Sequence, residues 1–202
     1  MNKNIIDFYM YANRLKNVVR TGWKEVGIPS EKIESDADHL YGSLILALSI
    51  ITEKNLNLDL KKVMEMILIR DMAKAYNNEE VSITSSINNA ADFRKAAVEV
   101  LGKLENGNEL ISLFDEYESK SSEEAKFVYK VCKLESDLQA KIYEQNGDFT
   151  VERAIEDVKN YPEDIKEKVG QIAKASDGWL IFDREYYDDE LFMGLSRDIQ
   201  EL

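Results

Sequence analysis

A short helical stretch carries three charges between apolar neighbours. In ILIRDMAKAY, Arg70 and Asp71 are adjacent, and Lys74 follows one helical turn after Arg70. The chain's only histidine, His39, lies in an earlier predicted helix. A histidine and an aspartate on two facing helices could share a divalent metal ion. Two protein ligands are few for a metal site, however, and Arg70 and Lys74 would repel a cation placed beside them.

The same charges have a purely structural interpretation. A charged residue on a core helix is rarely buried without a partner. Asp71 would then pair with Lys74 on its own helix, and Arg70 would pair with an acid on another helix. Residue types and spacing leave both interpretations open, and taken alone they favour the salt-bridge network.

Two further features could bind a ligand or react with one. Arg20 and Trp23, in the sequence RTGW, could hold a phosphate and a base or sugar. Trp23 could equally close the core while Arg20 caps a helix end. Cys132 lies in the helical sequence FVYKVCKLE, where a buried cysteine is most often a small apolar residue. A catalytic thiol would need a base partner.

The elements that must position these residues are predicted to be helices throughout. The 202 residues include two prolines and nine glycines, and no convincing alternating strand appears. Ser35 with Asp38, Asp59 and Ser122 are predicted N-caps. The tail from Gly178 onward mixes aromatics with acids and is either a further helix or a docking segment. Apolar periodicity predicts a loop over 20–34 and helices over about 4–19, 35–55, 60–76, 86–104, 108–118, 122–145, 150–160 and 162–175.

The first of these helices is predicted to be amphipathic. One stripe of apolar residues should face the core, and it consists of Ile5, Phe8, Tyr9, Ala12, Leu15 and Val19.

Composition restricts the class of protein. The chain is 44% hydrophobic and 32% charged, which predicts a single soluble globular domain. Its formal net charge of −13 disfavours nucleic-acid polymers and membranes as partners, but it allows a small phosphorylated ligand in a local basic pocket. A single cysteine allows no internal disulfide, and no signal peptide or membrane-spanning apolar run appears. These features predict a cytoplasmic protein.

Four segments, in this order, resemble the HD-domain metal-dependent phosphohydrolases, specifically the branch of 5′-deoxynucleotidases and their relatives. They are LKNVVRTGW, ESDADHLYGSLILALSI, ILIRDMAKAYNNEEV and LFDEYESKSSEEAKFVYKVCKLESDLQAKIYE. The last segment is long and specific, and the resemblance covers about residues 5–145. It implies a single compact HD-domain helical bundle over 1–145, with 146–202 as a C-terminal helical extension packed on the same domain. It also implies a homodimer.

By this resemblance, His39 and Asp71 match two of the family's metal ligands. Arg70 stands where the second histidine ligand is expected, and Cys132 stands where the last aspartate ligand is expected. Lys74 replaces the acid that helps to activate the attacking water, which is a reversal of charge. Two of the four ligands and the catalytic acid are therefore changed.

The substrate-side residues implied by the resemblance are better preserved. Arg20 matches the arginine on the phosphate side, and Trp23 matches the tryptophan of the same loop. Glu79 matches the acid that faces the sugar, with a side chain one carbon longer than aspartate. These three residues are the expected substrate-binding set, and Glu79 is also a candidate catalytic acid.

The replaced residues favour a non-catalytic homologue that binds a nucleotide or a partner protein. In this interpretation the Arg70 guanidinium lies near the expected ion position, neutralises Asp71 and makes a metal unnecessary. One alternative is an active phosphohydrolase on deoxynucleoside monophosphates, with Mn, Co or Zn held by His39, Asp71 and Cys132. Another is a purely structural module for protein contacts. Whether the chain is an enzyme stays open on the sequence alone.

Overall fold

The protein is all-α, as predicted. The computed structural model describes residues 2–77, 90–157, 163, 166–167 and 170–202. Within these ranges no β-strand forms, and Val19 and Ser35 make an isolated antiparallel bridge. The helices are α1 (Lys3–Ala12), α2 (Thr21–Glu25), α3 (Asp36–Lys54), α4 (Leu60–Ile69), α5 (Met72–Asn77), α6 (Ala90–Leu101), α7 (Gly107–Ser119), α8 (Glu123–Gln145), α9 (Val151–Asp157), α10 (Ala175–Asp183) and α11 (Glu190–Glu201).

The predicted helix starts are confirmed by their capping hydrogen bonds. Ser35 accepts from the backbone N–H of Asp38, and the Asp38 carboxylate accepts from the backbone N–H of Ser35, which completes a capping box before α3. The Asp59 carboxylate accepts from the backbone N–H of Lys62 at the start of α4. The Ser122 hydroxyl accepts from the backbone N–H three residues later, at the start of α8. Local capping chemistry therefore fixes where these helices begin.

The first helix does not bury the stripe that its periodicity predicts. Helix α1 has no buried residue, and Ile5 and Tyr9 are 62% and 60% exposed. The helix ends at Ala12 and continues as a 3₁₀ helix over Asn13–Asn17. One residue of the predicted stripe is buried, because Leu15, in this 3₁₀ helix, is 2% exposed.

The predicted helix over 60–76 is interrupted at its charged pair. Helix α4 ends at Ile69 and α5 begins at Met72, so Arg70 and Asp71 form the junction. Next to the junction, the backbone N–H of Lys74 donates to the carbonyl of Asp71, three residues earlier, at 3.0 Å. The helix is thus interrupted at a three-residue turn that contains neither glycine nor proline.

Other predicted boundaries differ at the chain's loops and tail. The predicted loop over 20–34 contains the short helix α2, and the tail forms α10 and α11. Residues 86–89, 158–160, 162, 164–165 and 168–169 of the predicted helices lie outside the described residues. The predicted helix end at 175 is wrong, because 170–174 form turns and bends and α10 begins at Ala175. No helix among the described residues combines the length and the apolarity needed to cross a bilayer.

The chain divides into two compact units. The first comprises Met1–Thr21 and Glu34–Cys132, and the second comprises Gly22–Ile33 and Lys133–Leu202. The boundary thus falls within α8, and the predicted division after residue 145 stays a prediction. The first unit buries apolar side chains of α4, α6 and α7, among them Val63, Met66, Ile67, Val100, Leu101 and Phe114. The core of the second unit includes Trp23, Val26, Ile28, Ala140, Tyr143, Phe149, Ala154 and Ala175.

Candidate functional site

Two helix ends of the first unit bring the charged residues together. The capping box at Ser35 starts α3, so Asp36 and His39 both lie within its first turn or just beyond it. The junction between α4 and α5 supplies Arg70 and Asp71. All of these residues are buried or mostly buried: His39 is 2% exposed and the Arg70 side chain 16% exposed. The first unit therefore carries a buried cluster of ionisable groups.

The Arg70 guanidinium contacts all three residues that the family resemblance places as metal ligands. Its Nη1 lies 3.2 Å from Nε2 of His39, and its Nε lies 3.3 Å from Oδ2 of Asp71. It also hydrogen-bonds the side chain of Cys132. A guanidinium can only donate, so Nε2 of His39 accepts, and a neutral imidazole then carries its proton on Nδ1.

Lys74 joins two buried carboxylates. Its ammonium lies 3.0 Å from Oδ1 of Asp36 and 3.0 Å from Oδ1 of Asp71. Asp36 and Asp71 are 1% and 3% exposed, so neither carboxylate has much access to water. A buried carboxylate requires a charged or hydrogen-bonding partner, and Lys74 supplies one to both.

The pKa values follow from burial and from these charges. Burial and the neighbouring Asp71 carboxylate raise the pKa of Asp36, and the Lys74 ammonium lowers it in part. Burial also raises the pKa of Asp71, but the charges of Arg70 and Lys74 outweigh it and hold this pKa at about 2. Burial opposes the charge on Arg70, yet the Asp71 carboxylate keeps its pKa well above the ordinary value. Arg70 and Asp71 are therefore both ionised at neutral pH.

This arrangement does not fit a divalent ion bound by His39, Asp71 and Cys132 together. The Arg70 guanidinium already contacts each of the three, and its positive charge would repel an ion held by them. Lys74 adds a second positive charge on Asp71. While these contacts persist, the cluster is neutralised by the chain's own cations.

Other buried residues have side chains that commonly bind a metal ion. Glu34, His39 and Glu135 are all buried, and each side chain can offer one ligand atom. The ligand atoms of Glu34 and His39, both in the first unit, lie within 4.8 Å of each other. Carboxylate and imidazole ligands suit Mn, Co or Zn. Neither glutamate was predicted as a ligand from the sequence. Glu34 precedes His39 by five residues in the segment that resembles the family, and Glu135 follows Cys132 by one helical turn.

The three substrate-side residues are placed very differently. Nη1 of Arg20 lies 3.4 Å from Oε1 of Glu34 in the first unit. Trp23 belongs to the second unit, is 1% exposed, and stacks on Trp179 with ring centroids 4.2 Å apart. This is the packing of a core residue, as the alternative interpretation of Trp23 expected. Glu79 lies outside the described residues, so the proposed sugar contact stays a prediction.

Asp36 belongs to the charged cluster although it was not predicted as a site residue. Asp36 lies three residues before His39 in the sequence, and it is the second carboxylate on Lys74. Asp36 and Lys74 are separated by 38 residues, so no local spacing rule joins them. Their opposite charges on two core-facing helices were the available signal.

Comparisons with family models, with characterised proteins and with solved structures agree with the resemblance to HD-domain proteins. A family model described as "HD domain" matches residues 12–173. The 5′-deoxynucleotidase HDDC2 of Danio rerio is 31% identical over 147 residues, which is 70% of this chain and 70% of that protein. The Xenopus laevis protein of the same name is 33% identical over 148 residues, covering 71% of each. A solved structure of a conserved hypothetical protein from Pyrococcus furiosus has a TM-score of 0.60 and 26% identity, covering 83% of this chain and 99% of that one.

Proposed function

This chain belongs to the HD-domain family, and on that premise we propose that it binds a nucleoside monophosphate without metal-dependent hydrolysis. The observation that carries the proposal is the position of Arg70. Its guanidinium contacts His39, Asp71 and Cys132, the residues that the family resemblance places as metal ligands. In this proposal the Arg70 guanidinium takes the place of a metal ion that could dissociate.

The energetics support this replacement. A metal could reach Asp71 only if Arg70 and Lys74 withdrew from it. Removing one partner from a buried ion pair typically costs roughly 3–5 kcal/mol, because the remaining charge is left without compensation. Metal binding would have to exceed that cost before any net affinity appeared.

The class of ligand comes from the relatives. The similar proteins of Danio rerio and Xenopus laevis are named as 5′-deoxynucleotidases, so a 5′-deoxynucleoside monophosphate is the ligand we infer for this chain. Arg70 and Lys74 both contact Asp71, and the charge of Arg20 also acts on Asp71, so three positive charges act on one carboxylate. An arginine fork suits a phosphate. Each of these cations already pairs with a carboxylate, so a phosphate must compete for them, and we expect modest affinity.

A second candidate function is an active phosphohydrolase on deoxynucleoside monophosphates. The specific observation in its favour is the buried pair Glu34 and His39, whose ligand atoms lie within 4.8 Å of each other. A divalent metal, when bound, polarises a phosphoryl oxygen and lowers the pKa of its bound water. In this function Glu34 and His39 would help to hold the metal, and Glu135 is a further buried acid to test by substitution.

Two assays on the same preparation separate the candidates. Phosphate release from the four common 5′-deoxynucleoside monophosphates is measured with Mn, Co, Zn and Mg in turn, with Asp71→Ala as the control for contaminating phosphatase. The thermal midpoint is measured with and without the same nucleotides, because a ligand that binds the folded state raises it. Binding without release above the control supports our proposal.

Other outcomes point elsewhere. Release that requires a metal and disappears in Glu34→Gln and His39→Asn would establish the active phosphohydrolase. If the chain shows no phosphate release and no thermal stabilisation by nucleotides, both functions are contradicted. A module for protein contacts would then be favoured.

A further inference from the structure

A second cluster of positive charge surrounds the ring of Tyr11 in the first unit. The guanidinium carbon of Arg14 lies 4.3 Å from the ring centroid, and the ammonium nitrogen of Lys103 lies 4.8 Å from it. Arg14 is exposed in the 3₁₀ helix that follows α1, and Lys103 is half-buried just after α6. One aromatic ring therefore holds two cations that come from distant parts of the chain.

Neither cation is neutralised within the part of the chain that the structure describes. Arg14 donates to the backbone carbonyl of Ala75 at 3.5 Å, and no carboxylate of the described residues forms an ion pair with Arg14 or Lys103. This is unusual in a chain with 39 acidic and 26 basic residues. By contrast, Arg20, Arg70 and Lys74, the cations of what we call the central cluster, each pair with a carboxylate.

Helix ends explain only part of this arrangement. Arg14 binds a carbonyl near the end of α5, and Lys103 follows the end of α6 by two residues, so both cations can offset a helix dipole. The carbonyl of Ala75 uses one of the five N–H donors of a guanidinium. The remaining donors of Arg14 have no carboxylate partner among the described residues.

We propose that Arg14 and Lys103 bind a small anion that carries two or more linked phosphates. Both cations lie against one ring, so a short chain of phosphates can contact both, whereas a single phosphate would favour one. The guanidinium offers two parallel donors to phosphate oxygens, and the ammonium adds a point charge. The site uses no residue of the central cluster, and the proposal does not rest on the proposed function.

The test is isothermal titration of the full chain with sodium tripolyphosphate, and separately with ATP and with orthophosphate. Arg14→Gln with Lys103→Gln should weaken tripolyphosphate binding by about tenfold or more, since two charge-assisted contacts are lost. Lys16→Gln is the matched control, because Lys16 is an exposed lysine of the same 3₁₀ helix as Arg14. It should leave the affinity within about twofold of wild type.

The conservative exchange Arg14→Lys with Lys103→Arg should retain most of the affinity, which excludes loss of folding as the cause. Equal affinities for tripolyphosphate and ATP would indicate that the phosphates alone account for binding at this site. Tighter binding of ATP would indicate that the protein also contacts its nucleoside. The proposal is wrong if tripolyphosphate does not bind at millimolar concentration, or if Lys16→Gln weakens it equally. It is also wrong if only Arg20→Gln removes the binding, because the anion would then occupy the central cluster.

Discussion

Nη1 of Arg70 lies 3.2 Å from Nε2 of His39, so a guanidinium donates to the nitrogen that an imidazole would otherwise present to a metal. The same guanidinium lies 3.3 Å from Asp71. One arginine thus connects a histidine at the start of α3 with an aspartate at the junction of α4 and α5. This relationship explains why a charged cluster can persist in the interior of the first unit.

Removing Arg70 should destabilise the protein strongly. In Arg70→Ala, the buried Asp71 carboxylate keeps only Lys74, and we expect the free energy of unfolding to fall by roughly 3–5 kcal/mol. Urea unfolding at neutral pH measures the loss. The control is Arg94→Ala, because Arg94 pairs with Asp115 at an exposed site and its removal should change little. Similar losses in the two variants would contradict a structural role for Arg70.

Acid unfolding should report the charge on Asp71. Its pKa is about 2 in the folded protein, below its ordinary value of 3.8, so the unfolded state binds this proton first as pH falls. The stabilisation from Asp71 is therefore present above pH 3.8 and is lost as pH falls towards 2. Asp71→Asn should flatten this part of the curve of unfolding free energy against pH. An unchanged slope would show that Asp71 is not held ionised by its neighbours.

Asp137, in the second unit, should make the free energy of unfolding depend on pH in the opposite direction. Asp137 is fully buried, accepts from the Tyr187 hydroxyl at 2.8 Å, and has a pKa raised well above its ordinary value by burial and by the Asp183 carboxylate. Its folded state therefore holds a proton that the unfolded state releases, and stability falls as pH rises above 3.8 towards the folded pKa.

Asp137→Asn keeps the shape of the neutral carboxyl group and cannot ionise, so the fall in stability between pH 4 and 8 should become shallower. Urea unfolding across this range measures the slope. Asp198→Asn, at an exposed position, serves as the control and should leave the slope unchanged. A slope that stays as steep in Asp137→Asn as in wild type would assign the effect to other groups.

Restoring the residues expected from the family should restore a metal site. Arg70→His, Lys74→Glu and Cys132→Asp together remove two positive charges and add a histidine and two carboxylates around His39 and Asp71. We expect about one Mn per chain after dialysis, measured by elemental analysis, together with phosphate release from deoxynucleoside monophosphates. Arg94→His, which also exchanges an arginine for a histidine but at an exposed site, should bind none. A folded triple variant without metal would show that these positions are wrongly matched.

Local signals in the sequence predicted much of this fold. The all-α class and the N-caps Ser35, Asp59 and Ser122 are confirmed, because periodicity and capping depend on residues a few positions apart. The HD-domain family is confirmed as well, and it was predicted from the resemblance of four segments. The pairing of Asp71 with Lys74, one turn apart, was anticipated for the same reason. The proximity of Arg70 to the other expected ligands came from the family resemblance, not from spacing.

Features that depend on distant contacts were not predicted. The junction at Arg70 and Asp71 carries neither glycine nor proline, so no residue type marks it in the sequence. Lys74 contacts Asp36, which lies 38 residues away. The apolar face of α1 is exposed, so the periodicity of apolar residues predicts a helix but not whether another element packs on its apolar face. Trp23 fits both a binding role and a core role by residue type, and its burial and its stacking on Trp179 place it in the core of the second unit. The homodimer and the cytoplasmic location stay predictions.

The most direct test of the central claim is a calorimetric titration of the wild-type chain with Mn²⁺, repeated with Zn²⁺ and with His39→Asn. We predict no stoichiometric binding that depends on His39, because the Arg70 guanidinium contacts His39, Asp71 and Cys132. Binding of one ion per chain that disappears in His39→Asn would contradict the account, and would show that the chain holds a metal despite its internal cations.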